Sequence, residues 1–225
     1  MATIHAIDNA TGLLPYTSKQ YHKLLRLSQA ALLALKVEVR ARCHFFLQPF
    51  TDWNYHQESD SMEPSPFVTQ YNADVARFHS MICQHLRPSA YALLFDTIPE
   101  LVAHHLIHKL PHIPNQCINS IGIKQLRRNL FALQQNLATM AGNQEECFNR
   151  VRKYYELLTL TSKELLRRVH QGHEGVMFTL GQYEAILSIK TELHTPNSHD
   201  LSQLRTLHHQ HMFKKPEAQG QAPDT

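Results

Sequence analysis

Residues 121–137 read IGIKQLRRNLFALQQNL, and the spacing of their large apolar side chains decides the fold. Ile123, Leu126, Leu130, Leu133, Leu137 and Met140 follow one another at alternating intervals of three and four. That period lays one apolar stripe along a helix, with Phe131 expected to widen it and the glutamines, asparagines and arginines falling on the outer face. Gly142 is a natural C-terminal stop. Asn143 with Glu146 reads as a capping box for the next helix. There Val151, Tyr155, Leu158, Ser162, Leu165 and Val169 repeat the spacing up to Gly172, which predicts one continuous helix antiparallel to the first.

The same pattern extends outward in both directions. Leu25, Ser28, Leu32, Leu35, Val39, Arg42 and Phe46 form a stripe with one polar exception, Arg42, beside Cys43. It predicts a helix of roughly 30 residues from Thr17 to near Pro49, about 45 Å long. Residues 1–16 show no clear period and are expected to be loose. The polar stretch 51–65 reads as a loop, after which Ser65-Pro66 supplies an N-cap and first helical position for a helix to about Leu86. Thr97-Ile98-Pro99-Glu100 resembles a capping box restarting the chain toward Leu110. Thr179 with Gln182 caps a helix to about Leu193, and a last helix carries Leu201, Leu204 and Leu207. The polar tail 214–225 is expected to be disordered. The fold class is all-α, an antiparallel bundle or rod of about seven or eight long helices within residues 17–213.

Composition agrees. The 225 residues are 43% apolar and 18% charged, and 7 glycines with 11 prolines leave little material for the turns of an all-β fold. A formal charge of +3 is too small to make the whole chain a polyanion binder. Cys43, Cys83, Cys117 and Cys147 lie far apart without a CxxC pair, which fits reduced, cytosolic thiols. The N-terminus carries no signal-peptide pattern, and no apolar run approaches the roughly 20 residues that span a bilayer. These features imply a soluble intracellular protein.

Among 17 histidines, His104 and His108 sit four apart on one helix, a spacing that suits zinc, and His208, His209 and His211 cluster near the C-terminus. A small histidine-rich metal-binding helical protein is therefore the alternative reading. His105 interrupts the first pair and no HExxH supplies a base, so solvent-facing histidines explain the pattern more simply. Cys43 and Cys147 fall inside helical patterns, and GxSxG, GxGxxG and phosphate-loop motifs are missing, which argues against an enzyme and implies no cofactor. Between 124 and 168, nine basic residues face four acidic ones. Lys124, Arg127, Arg128, Arg167 and Arg168 are the candidate contacts for an acidic partner or anionic lipid, with a solvated face as the simpler reading. Phe131, Phe148, Tyr154 and Tyr155 lie on or beside the apolar stripes, as core residues do, so nucleic acid is not expected.

The residues also carry a family likeness. KVEVRARCHFFLQPF at 36–50, Asn54-Tyr55, Met62-Glu63 and Pro66-Phe67-Val68 resemble the exocyst complex component four family, the Sec-eight subunit. The likeness sharpens at GIKQLRRNLFALQQNL, 122–137, and continues through RKYYELL at 152–158, KELL at 163–166 and Tyr183-Glu184. It covers roughly residues 20–213, in order, and corresponds to the C-terminal part of that family, whose members are several times longer. The resemblance implies a non-enzymatic, cofactor-free subunit of a helical-rod complex that tethers secretory vesicles at the plasma membrane before fusion. It implies other exocyst subunits as partners, with small GTPases and an anionic membrane surface as further candidates. The implied location is cytoplasmic, peripheral at plasma-membrane sites of secretion.

Overall fold

The computed structural model describes residues 2–142, 145–171, 177–190 and 198–213. Their regular elements are α1 (Ala2–Leu47), α2 (Pro66–Ile82), α3 (Pro88–Phe95), α4 (Ile98–Lys109), α5 (Ser120–Ala141), α6 (Glu145–Leu157), α7 (Ser162–Gln171), α8 (Leu180–Ile189) and α9 (Ser198–Phe213), with short 3-10 turns between some of them. The fold is an all-α bundle. Extended pairing among the described residues is confined to single parallel bridges from Ile118 to Tyr55 and to Lys190.

The apolar stripe of α5 is the centre of this bundle. Ile123, Leu126, Leu130, Leu133, Leu137 and Met140 are all buried, at 7% exposure or less. Through them α5 packs on α2, α4 and α6 within one contiguous apolar core. Phe131 does not widen the stripe: it lies one residue past Leu130, about 100° around the helix, and is 63% exposed.

Two polar residues of the stretch also depart from expectation. Gln125 and Asn129 are buried, not on an outer face. Asn129 Oδ1 accepts from the Ser65 backbone N–H at 2.7 Å, and its Nδ2 donates to Ser65 Oγ at 2.9 Å. Gln125 Nε2 donates to the Glu63 carbonyl at 2.9 Å. Buried amides satisfied in this way clamp the loop before α2 onto α5. They also occupy Ser65, which starts α2 with Pro66 behind it but makes no side-chain cap bond.

The start of α5 is fixed with equal care. Asn119 is its N-cap, accepting from the Gly122 N–H at 2.8 Å while its own Nδ2 donates to the Gln57 carbonyl at 2.7 Å. Gly122 sits so close to the 55–57 segment that a Cβ there would lie 1.9 Å from the Tyr55 carbonyl oxygen. At the other end Gly142 takes φ +73°, a conformation glycine adopts without steric cost.

Other signals sort by what competes for the capping side chain. The box at Thr179 and Gln182 forms in both directions, at 3.3 and 2.9 Å. Thr97 occupies the N-cap of α4 in a helical rather than extended conformation and gives no cap bond; its hydroxyl accepts from Arg40 Nη2 at 3.0 Å. The expected helix through 151–169 is split into α6 and α7. Thr161 and Glu164 make the unread box, with Thr161 N–H to Glu164 Oε2 at 2.8 Å and Glu164 N–H to Thr161 Oγ1 at 3.3 Å. Asn143, the end of the helix predicted to Leu193, and the tail 214–225 lie outside the described residues.

Helix α1 is the longest element, 46 residues, and is helical from Ala2, upstream of Thr17 and through the segment expected to be loose. From Val39 onward the face is buried through Cys43 and Leu47 against α2, α3 and α4. Its polar exception has a purpose: Arg42 pairs with Asp74 of α2 at 2.6 Å and lies over the Phe78 ring. Asp74 also pairs with Arg77 at 2.8 Å. Burial alone would raise the Asp74 carboxyl, but these hydrogen bonds from Arg42 and Arg77 hold it below the usual carboxylate value.

Candidate functional site

The five basic residues singled out from sequence are distributed over two helices. Lys124 and Arg128, on α5, both pair with Asp60, Lys124 at 3.1 Å. The hydrogen bonds from Arg128 and then Lys124 hold the Asp60 carboxyl below the usual range. Their charge is thus partly spent inside the molecule, fastening the 56–63 loop. Arg127 is exposed and borders a shallow groove of about 310 Å³ between α5 and α6, together with Phe131, Arg152, Tyr155 and Glu156. Arg167 and Arg168 are exposed near the end of α7, a helix that packs on α9.

The histidines serve several structural ends. His104 and His108 are exposed on α4 and their rings lie 4.0 Å apart, tilted by 39°. Among the described residues, no three His, Cys, Asp or Glu side chains come together as a metal site. His105 is buried rather than solvent-facing: its Nε2 donates to the Leu47 carbonyl at 3.3 Å, and its ring meets His44 edge-on. His79 Nε2 is 2.8 Å from the Tyr91 hydroxyl, and its ring packs edge-on to Phe95. His208 rests against Tyr183, while the side chain of His211 is outside the described set.

Burial holds two of the thiols away from the thiolate form. Cys43 is buried beside Tyr71, and burial pushes its pKa up to about 11, away from the thiolate a nucleophile requires. Burial likewise raises Cys147. No helix among the described residues is long and apolar enough to cross a membrane.

The most exposed apolar feature is one that sequence periodicity did not mark as special. Tyr21, Leu24, Leu27, Leu33 and Val37 of α1 are each at least 59% exposed. None of the five lies on the stripe from Leu25 to Phe46 that reads as core, and at about 100° per residue they do not share one face: Leu33 and Val37 project away from Tyr21 and Leu24.

What the geometry offers is an all-helical body with exposed cations, a shallow groove between α5 and α6 and exposed apolar side chains on α1. Comparison with known proteins points the same way. The chain is 32% identical over 174 residues to exocyst complex component 4 of Dictyostelium discoideum, covering 76% of this chain and 14% of that protein. It is a homologue of a segment of exocyst complex component 4. The Homo sapiens exocyst protein is 30% identical over 166 residues, 72% of this chain and 17% of its own length. Exocyst complex component SEC8 of Arabidopsis thaliana is 26% identical over 168 residues, 73% of this chain and 16% of its own. The aligned part thus spans less than a fifth of these curated exocyst relatives. No family model matches the chain. The metal-binding alternative gains no support from these relatives.

Proposed function

We propose that this chain works as a non-enzymatic helical subunit, or module, of the exocyst, tethering and docking secretory vesicles at the plasma membrane before fusion. The observation that carries this is the similarity to exocyst complex component 4 over about three quarters of the chain, found in an amoeba and a human protein. In this role the helical unit starts at Ala2 rather than at Thr17 and reaches Phe213, 214–225 is a polar tail, and the location is cytoplasmic and peripheral to sites of secretion. Long helices present extended side-chain surfaces to neighbouring subunits, and specificity comes from packing and charge complementarity rather than from a pocket. The exposed cations Arg127, Arg167 and Arg168 are the contacts offered to acidic partners, a small GTPase or anionic headgroups among them. Lys124 and Arg128 contribute less, because they share Asp60.

Affinity purification of the tagged chain from its own cells tests the role. Exocyst subunits are expected to co-purify in amounts comparable to the bait. A folded bait that brings down none of them would sink the assignment.

A further inference from the structure

Along residues 19–37 of α1, Tyr21, Leu24, Leu25 and Leu27 are exposed, while Leu32 and Leu35 are half-buried, Leu35 against the core, and we propose that this stretch forms a docking face for helices of another polypeptide, apolar along the seam and acidic along its borders. On a helical wheel of about 100° per residue, Tyr21, Leu25, Leu32 and Leu35 project in the same direction as Val39 and Cys43. Val39 and Cys43 are 0% and 1% exposed, whereas Tyr21 is 64% exposed. The uncovered face is therefore the direct continuation of the face α1 already buries against α2, α3 and α4. Leu24, Leu27 and Ala31 widen it beyond a single coiled-coil seam, to the breadth a helix uses when it enters a bundle.

Shape and charge select the occupant. Tyr21, Leu25, Leu32 and Leu35 project toward the side of α1 on which α2, α3 and α4 pack, which suits helices entering alongside the bundle. The tail 214–225, KKPEAQGQAPDT, has no leucine, isoleucine, valine or aromatic residue with which to cover the strip. From Asn9 to Val37 there is no aspartate or glutamate, while Lys19, Lys23, Arg26 and Lys36 fall within the uncovered stretch. Lys23 borders one edge of the strip and Lys36 the other. A second copy would set the same positive borders against these, whereas helices edged with carboxylates complement them.

This deepens the subunit role proposed above, but its test needs no exocyst protein, so the two fail separately. The full chain is titrated with a synthetic helical peptide whose leucine seam is bordered by glutamates, and with a twin bordered by lysines. Fluorescence anisotropy is expected to show the glutamate peptide binding at least tenfold more tightly, with affinity falling as salt is raised. Leu24→Gln/Leu27→Gln is expected to abolish that binding without changing the melting temperature, since both leucines are exposed. Lys23→Glu/Lys36→Glu is expected to shift preference toward the lysine peptide. Equal binding of the two peptides, or none, would overturn the proposal. So would a dimer seen by light scattering that the leucine variant dissolves, or sedimentation with phosphatidylserine vesicles that the same variant removes.

Discussion

Gly122 leaves no room for a methyl group, because a Cβ would sit 1.9 Å from the Tyr55 carbonyl oxygen, a backbone atom that cannot swing aside. Gly122→Ala is therefore expected to cost about 1–3 kcal/mol or more, despite the better helix propensity of alanine, and urea unfolding will show it as a lower midpoint. At His105, burial is the main influence and lowers the imidazole pKa, opposed by the bond to the Leu47 carbonyl and reinforced by nearby His44 and Lys109. The folded chain thus takes up this proton at lower pH than the unfolded chain, whose histidine titrates near about 6.5. The contribution is intact above that pH and is lost progressively below it, until the folded value is passed. The melting temperature should fall as pH drops from about 7 to about 5, and His105→Gln should flatten that dependence. None of this was legible in sequence. Gln125 and Asn129 show why: as polar residues they read as surface, and only the arrival of Ser65 and Glu63 makes their burial favourable.

At the scale of the helices, the apolar period was a reliable guide where a neighbour closes over the stripe. Leu133 is 0% exposed at the middle of α5, and Leu133→Ala should cost about 2–5 kcal/mol by thermal or denaturant unfolding. Phe131, one residue away from Leu130 in sequence, remains outside. The stop between α6 and α7 was written in the chain as Thr161 and Glu164, yet the unbroken spacing of Val151 to Val169 concealed it. A heptad can run through a break when both pieces face the same core. Capping chemistry is also contingent on neighbours. Thr179 has its box to itself, whereas Thr97 gives its hydroxyl to Arg40, a contact that depends on α1 arriving beside α4.

On the scale of the whole molecule, the all-α class was legible because three-and-four spacing recurs in three separate stretches, 25–46, 123–140 and 151–169. The uncovered leading part of α1 was not, since the stripe that holds Tyr21's neighbour Leu25 runs unbroken into the buried Val39, and spacing does not show where the neighbouring helices begin. Of the candidate basic residues, Lys124 and Arg128 could not be separated from Arg127 by sequence, because Asp60 lies in a distant loop. Membership of a larger assembly is the central claim, and size-exclusion chromatography of gently lysed cells tests it most directly. The 26.0 kDa chain is expected to elute at the front of the column, together with other exocyst subunits in the same fractions. Elution of the intact, folded chain near its own mass, apart from every exocyst subunit, would contradict it.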